Sequence, residues 1–132
     1  MKFTRSIAST PEDASALLSD AMDYLRTLQK NRIAVDVVEF DFRLALDEAM
    51  QNALSHGSGG DAGKRISVTI TPQRKTVSIT VCDEGGGFIV EDVPDTKSPE
   101  RRFKPHGRGV CLLKGLYNAR WEDNGRCVHI VV

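Results

Sequence analysis

Residues 46–57 read LDEAMQNALSHG. Most of this stretch suits a small-residue helix, yet Glu48, Asn52 and His56 recur in it every fourth position. Positions four apart advance only about 40° around an α-helix and rise about 6 Å. The three side chains therefore form one slowly drifting stripe. It borders an apolar face made by Phe42, Ala45, Leu46, Ala49 and Ala53, while Asp47 and Gln51 point nearer to solvent. An acid and an amide aimed at the edge of a core are costly unless something polar meets them. Two readings fit. Glu48 and Asn52 bridge neighbouring backbone, or they face a ligand: the amide oxygen is a hard neutral ligand for Mg²⁺, and the carboxylate can take a proton. A histidine before a helix-ending glycine, as at His56, is commonly structural.

Working outward, the helix spans about Val37 to Ser55 and stops in the glycine-rich HGSGG, 56–60. Upstream, 1–9 alternate weakly and suit an edge strand. STPED, 9–13, then opens a helix: Thr10 caps, Pro11 fits the first turn, and Glu12 and Asp13 favour the dipole. Ala14, Leu17, Leu18, Ala21, Leu25 and Leu28 carry that helix to about Gln29, and KNR, 30–32, closes it. Downstream, 65–71 and 75–83 alternate as two strands joined at TPQRK, 71–75. A polar segment, 84–106, is too long for a simple connector and reads as a functional loop. A third helix is expected over 107–117, then strands at 119–122 and 126–132 around DNG, 123–125. The order implies one α+β domain over 1–132, a two-layer sandwich. Helices cover one face of a mixed, mostly antiparallel sheet.

Composition narrows the function classes. Acidic and basic residues balance at 18 each, so net charge gives no support for nucleic-acid or membrane attraction. Between Arg101 and Arg126, seven Lys or Arg stand against two acids, a local excess that faces phosphates or is simply solvated. No apolar run is long enough to span a bilayer, and the first residues lack a signal-peptide core. Cys82, Cys111 and Cys127 match neither a zinc nor a disulfide pattern and read as small, reduced core residues, which favours the cytoplasm.

Two glycine motifs bear on the stripe. TVSITVC, 76–82, runs into DEGGGF, 83–88. Asp83 shares strand parity with Val77, Ile79 and Val81, so its carboxylate points inward if that side faces the helices. There it is poised to accept from a ligand donor such as a purine amino group. Gly85 and Gly87 permit close backbone approach. Further on, HGRGVCLLKGL, 106–116, sets Gly107, Arg108 and Gly109 before a helix, whose free N–H groups suit phosphate. Each motif alone also has a bland explanation as a turn.

Taken in order, Glu-x-x-x-Asn on a helix, Asp-x-Gly-x-Gly after a strand and Gly-x-Gly opening a helix resemble the GHKL ATPases. EAMQNALSHG is similar to their asparagine box, DEGGGF to their first glycine box and HGRGV to their second. The resemblance covers about 36–132 and implies a Bergerat-type ATP-binding fold with ATP and Mg²⁺ as cofactors. It implies Glu48 as general base, Asn52 as Mg²⁺ ligand and Asp83 as the adenine-reading carboxylate. It places Gly85 and Gly87 at the nucleotide, Gly107, Arg108 and Gly109 at the phosphates, and a lid over about 88–106. Histidine kinases carry a preceding dimerising segment, and gyrase-type members a following transducer. A domain of this length is most similar to the anti-sigma-factor serine/threonine kinases. That subtype implies a cytoplasmic protein with a sigma factor, an anti-anti-sigma (STAS-type) protein, or both, as partner. A homodimer is also possible on this resemblance; nucleic acid and membrane are not implied. The sequence departs from the subtype at Gln51, where a small hydroxyl residue is usual. The γ-phosphate contact stays open among Arg101, Arg102, Lys104 and Arg108. Two alternatives remain: a non-catalytic ATP-binding switch that sequesters a partner, and a nucleotide-binding module of a larger regulatory system.

Overall fold

The computed structural model describes residues 1–57, 63–84, 119–122 and 126–132. The elements are β1 (Phe3–Ala8), α1 (Pro11–Lys30), α2 (Glu39–Asn52), a π-helical turn (Ala53–Gly57), β2 (Arg65–Pro72), β3 (Val77–Asp83), β4 (Arg120–Glu122) and β5 (Cys127–Val131). The strands form one sheet in the order β1-β2-β3-β5-β4. All four pairings are antiparallel, so no parallel pair occurs among the described residues. Both helices lie against one face, giving the two-layer α+β arrangement expected from the element order. The expected lid, third helix and DNG turn fall outside the described residues.

Alternation along the strands decides which face is covered. Ile66, Val68 and Ile70 of β2, Val77, Ile79 and Val81 of β3, and Val128 and Ile130 of β5 are buried. Their neighbours on the other parity, such as Arg65, Ser67, Thr80 and His129, stay exposed or half-exposed. The helix layer answers with Leu17, Leu25 and Leu28 of α1 and Phe42, Leu46 and Met50 of α2, all buried.

The first helix begins as its sequence dictates. The Asp13 amide donates to Thr10 Oγ1 at 3.2 Å, with Pro11 in the first turn. It ends in a Schellman motif. The Ile33 amide donates to Leu28 O at 2.9 Å and the Arg32 amide to Gln29 O at 3.0 Å. Arg32 takes the left-handed position at φ 61°, which usually belongs to glycine. The α1–α2 connection is then pinned to the β2–β3 turn, with the Ala34 amide donating to Gln73 O and the Asp36 amide to Lys75 O, both at 3.1 Å. Gln29 Nε2 reinforces it by donating to Ala34 O and Val37 O. Beside β1, the Tyr24 hydroxyl donates to Met1 O at 2.6 Å, and burial pushes this phenol above its ordinary pKa of 10.0.

Of the three cysteines expected to be reduced, Cys111 lies outside the described residues. Cys82 and Cys127 are not reduced core residues but a disulfide, 45 residues apart in sequence. They face each other across β3 and β5. Hydrogen bonds flank this pair on the adjacent rungs, as between the Asp83 amide and Arg126 O at 2.9 Å. The cysteines thus occupy a non-hydrogen-bonded rung, where antiparallel Cα atoms come closest, here 4.1 Å. Their parity is that of Thr80 and His129, so they lie on the face away from α1 and α2. The cytoplasmic expectation loses the support of reduced cysteines.

Arg32→Gly should stabilise the domain by about 1 kcal/mol by relieving the left-handed backbone, whereas Leu46→Ala should cost about 2–5 kcal/mol; urea unfolding measures both. The native phenol of Tyr24 binds its proton more tightly than the unfolded one. Its contribution to stability is therefore complete below about pH 10 and is lost as pH climbs past the raised value. Stability measured from pH 8 to 11 should decline less in Tyr24→Phe than in the parent.

Candidate functional site

The site residues converge where α2 ends over β3. Ala45 and Ala49 give α2 a low-profile face, and the helix and its π-helical turn pack against β3. A π-helical turn widens the helix and is common at functional sites. Asn52 is the last α-helical residue before it. Burial is nearly complete at Asn52, 6% exposed, and Nδ2 makes no hydrogen bond. Among the described residues Ser9, which follows β1 at the sheet's edge, is the other buried polar residue, and its Oγ also lacks a partner. A buried amide left without a partner costs about 1–3 kcal/mol, so its retention points to a partner that arrives from outside.

Asn52 opens onto a small cavity shared with Asp83, Trp121 and Arg126. Ala49, Ala53, Val81 and Val128 supply its apolar wall. The sequence pattern thus predicts correctly that Asp83 lies on the helix side of β3, and the fold brings it to the same cavity as Asn52. The open volume is about 10 Å³, room for roughly one water molecule. A base can enter only as the side chains around it move. Glu48 sits one helical turn before Asn52 and is half-buried. The α-helical spacing that relates these two ends at Asn52, before His56. Gly85, Gly87, Gly107, Arg108 and Gly109 lie outside the described residues.

Trp121 and Arg126 are cavity residues that the sequence pattern does not single out. Their strands are short, and only the order β3-β5-β4 brings them to the end of α2. Trp121 pairs with Val128 across β4 and β5, and Arg126 stands beside Asp83. Parity with the buried Val128 was the available signal, but its register had to be known first.

A larger hollow of about 460 Å³ lies on the opposite, uncovered face, lined by Ser78, Thr80, Arg120, His129 and Val131 among others. Volume does not make it the better site. It is an open sheet surface, where Thr80 Oγ1 lies 2.9 Å from His129 Nδ1 and His129 Nε2 lies 3.2 Å from Glu122 Oε2 without forming a hydrogen bond. Among the described residues no cluster of three His, Cys, Asp or Glu could hold a metal ion by itself, and no helix is long and apolar enough to cross a membrane.

A family model for the histidine kinase-like ATPase domain matches residues 7–132. The chain belongs to that family, and ATP is the ligand that membership supports. A comparison with curated proteins finds no match.

Asn52→Leu removes the unpaired amide at nearly constant volume. It should leave stability unchanged or raise it by about 1 kcal/mol while abolishing nucleotide binding. Thermal melts and nucleotide titration on the same sample check both halves. A loss of more than about 1 kcal/mol would mean that Asn52 is structural.

Proposed function

We propose that this domain is an ATP-dependent protein serine/threonine kinase that also acts as an anti-sigma factor. It would bind a sigma factor and phosphorylate a serine or threonine of an anti-anti-sigma, STAS-type partner in the cytoplasm. The observation that carries the nucleotide half is Asn52, buried with its Nδ2 donor unpartnered and opening onto the same cavity as Asp83. Glu48, one turn back, supports transfer over mere binding, since a binder needs no base.

The residues present suit Mg-ATP chemically. The apolar wall of Val81 and Val128 fits the face of a purine, and Asp83 accepts from its amino group. Asn52 offers its amide oxygen to Mg²⁺, a cation that takes few protein ligands and keeps several waters. When bound, Mg-ATP supplies the γ-phosphoryl group and the metal charge that offsets it. Glu48 orients the partner's hydroxyl and takes its proton. By the family resemblance, Gly85 and Gly87 would serve the nucleotide, and Gly107, Arg108 and Gly109 the phosphates. Catalysis in such a transfer is mainly positioning and electrostatics.

Glu48→Gln should slow transfer of labelled phosphate to the partner by about 10²–10⁴ with nucleotide affinity nearly unchanged. Asp83→Asn should instead weaken nucleotide binding by about ten- to a hundredfold, the loss of one hydrogen bond to a charged group. Full transfer by the Glu48 variant would remove that residue from its role. Tight nucleotide binding by the parent with no transfer to any STAS-type protein would favour the sequestering switch.

A further inference from the structure

The Cys82–Cys127 disulfide is adjacent to the candidate site yet on the other side of the sheet. The β3–β5 ladder runs from the Ser78–Val131 pair to Cys82–Cys127. One further rung follows, where the Asp83 amide meets Arg126 O. Side chains of that last rung line the Asn52 cavity. The sulfurs have the opposite parity, on the face away from α1 and α2, which no helix among the described residues covers, and both cysteines are only partly buried. A reductant can therefore approach the bond without entering the core. The end of a ladder is also where local opening is easiest, so a covalent link at the penultimate rung bears directly on Asp83.

We propose that Cys82–Cys127 is a reversible redox latch that holds Asp83 and Arg126 in place for nucleotide. With the bond closed, the last rung is fixed and Asp83 and Arg126 stay at the cavity. With it open, the end of β3 parts from β5 more often and the site binds nucleotide less tightly. The reaction partner is a dithiol reductant. One of its thiolates attacks a sulfur of the bond and forms a mixed disulfide, and its second thiol displaces the protein sulfur. The protein disulfide gains two electrons and two protons to give two thiols, and the dithiol becomes a disulfide. The effect on affinity rests on the nucleotide reading above; the effect on the ladder does not.

The test compares the purified full chain before and after treatment with dithiothreitol. Thiol counting on denatured protein should give one free thiol before and three after, since the chain has three cysteines; three in both states overturns the proposal. Amide hydrogen exchange at the Asp83 end of β3 and the start of β5 should quicken about tenfold on reduction. ATP affinity, followed by fluorescence of the single tryptophan, should fall about tenfold, within the usual range for coupled sites. Equal affinity in the two states overturns the latch. If neither state binds ATP, the nucleotide reading fails. Exchange then decides the latch alone, with unchanged protection rejecting it. The Cys82→Ser, Cys127→Ser double variant should resemble the reduced protein and ignore dithiothreitol. A response that persists there comes from Cys111 and also rejects the latch.

Discussion

The antiparallel pairing of β3 with β5 is the constraint from which the site follows. It sets Val81 against Val128, Cys82 against Cys127 and Asp83 beside Arg126. The first pair builds the apolar wall of the cavity, the second ties the strands covalently, and the third brings an acid and a cation to its mouth. A slip of one residue would turn every one of these side chains to the other face. The buried positions Val77, Ile79, Val128 and Ile130 hold the register, because a slip would expose them all to water.

Against this sheet, α2 does two jobs with one surface. Its alanines let the helix lie close over β3, and Phe42, Leu46 and Met50 fill the space on either side. At its last turn the same face carries Asn52, which is buried with them but not hydrogen-bonded at Nδ2. The domain therefore tolerates a local penalty at the point where the family resemblance implies a metal–nucleotide contact. Departures from local optimum of this kind are expected at functional positions.

Much of the fold was legible because its signals are local. Thr10, Pro11 and the acidic first turn marked the start of α1. Alternation in 65–71 and 75–83 marked two strands, the second beginning at Val77 in the structure, and gave Asp83 the parity of the buried Val81. What escaped depended on register or on unusual local geometry. Helix α1 stops without a glycine because Arg32 occupies the left-handed position and Ile33 closes onto Leu28. Cys82 and Cys127 could not be paired from spacing, since their contact exists only once two distant strands lie on adjacent tracks. Trp121 and Arg126 reach the cavity for the same reason, and Arg126 read only as part of a basic stretch. The glycine motifs contributed to the family resemblance, while their geometry lies outside the described residues.

The central claim is that Asn52 and Asp83 face one ligand, a purine nucleotide, on the helix side of the sheet. Titrating isotopically labelled protein with Mg-ATP while recording amide and side-chain NMR shifts tests it directly. Saturable shifts are expected in the Asn52 side-chain amide, the Asp83 amide and the Trp121 indole, with Thr80 and His129 on the far face little changed. Shifts confined to Thr80, His129 and Arg120, with Asn52 and Asp83 unmoved, would place the nucleotide on the uncovered face and contradict it.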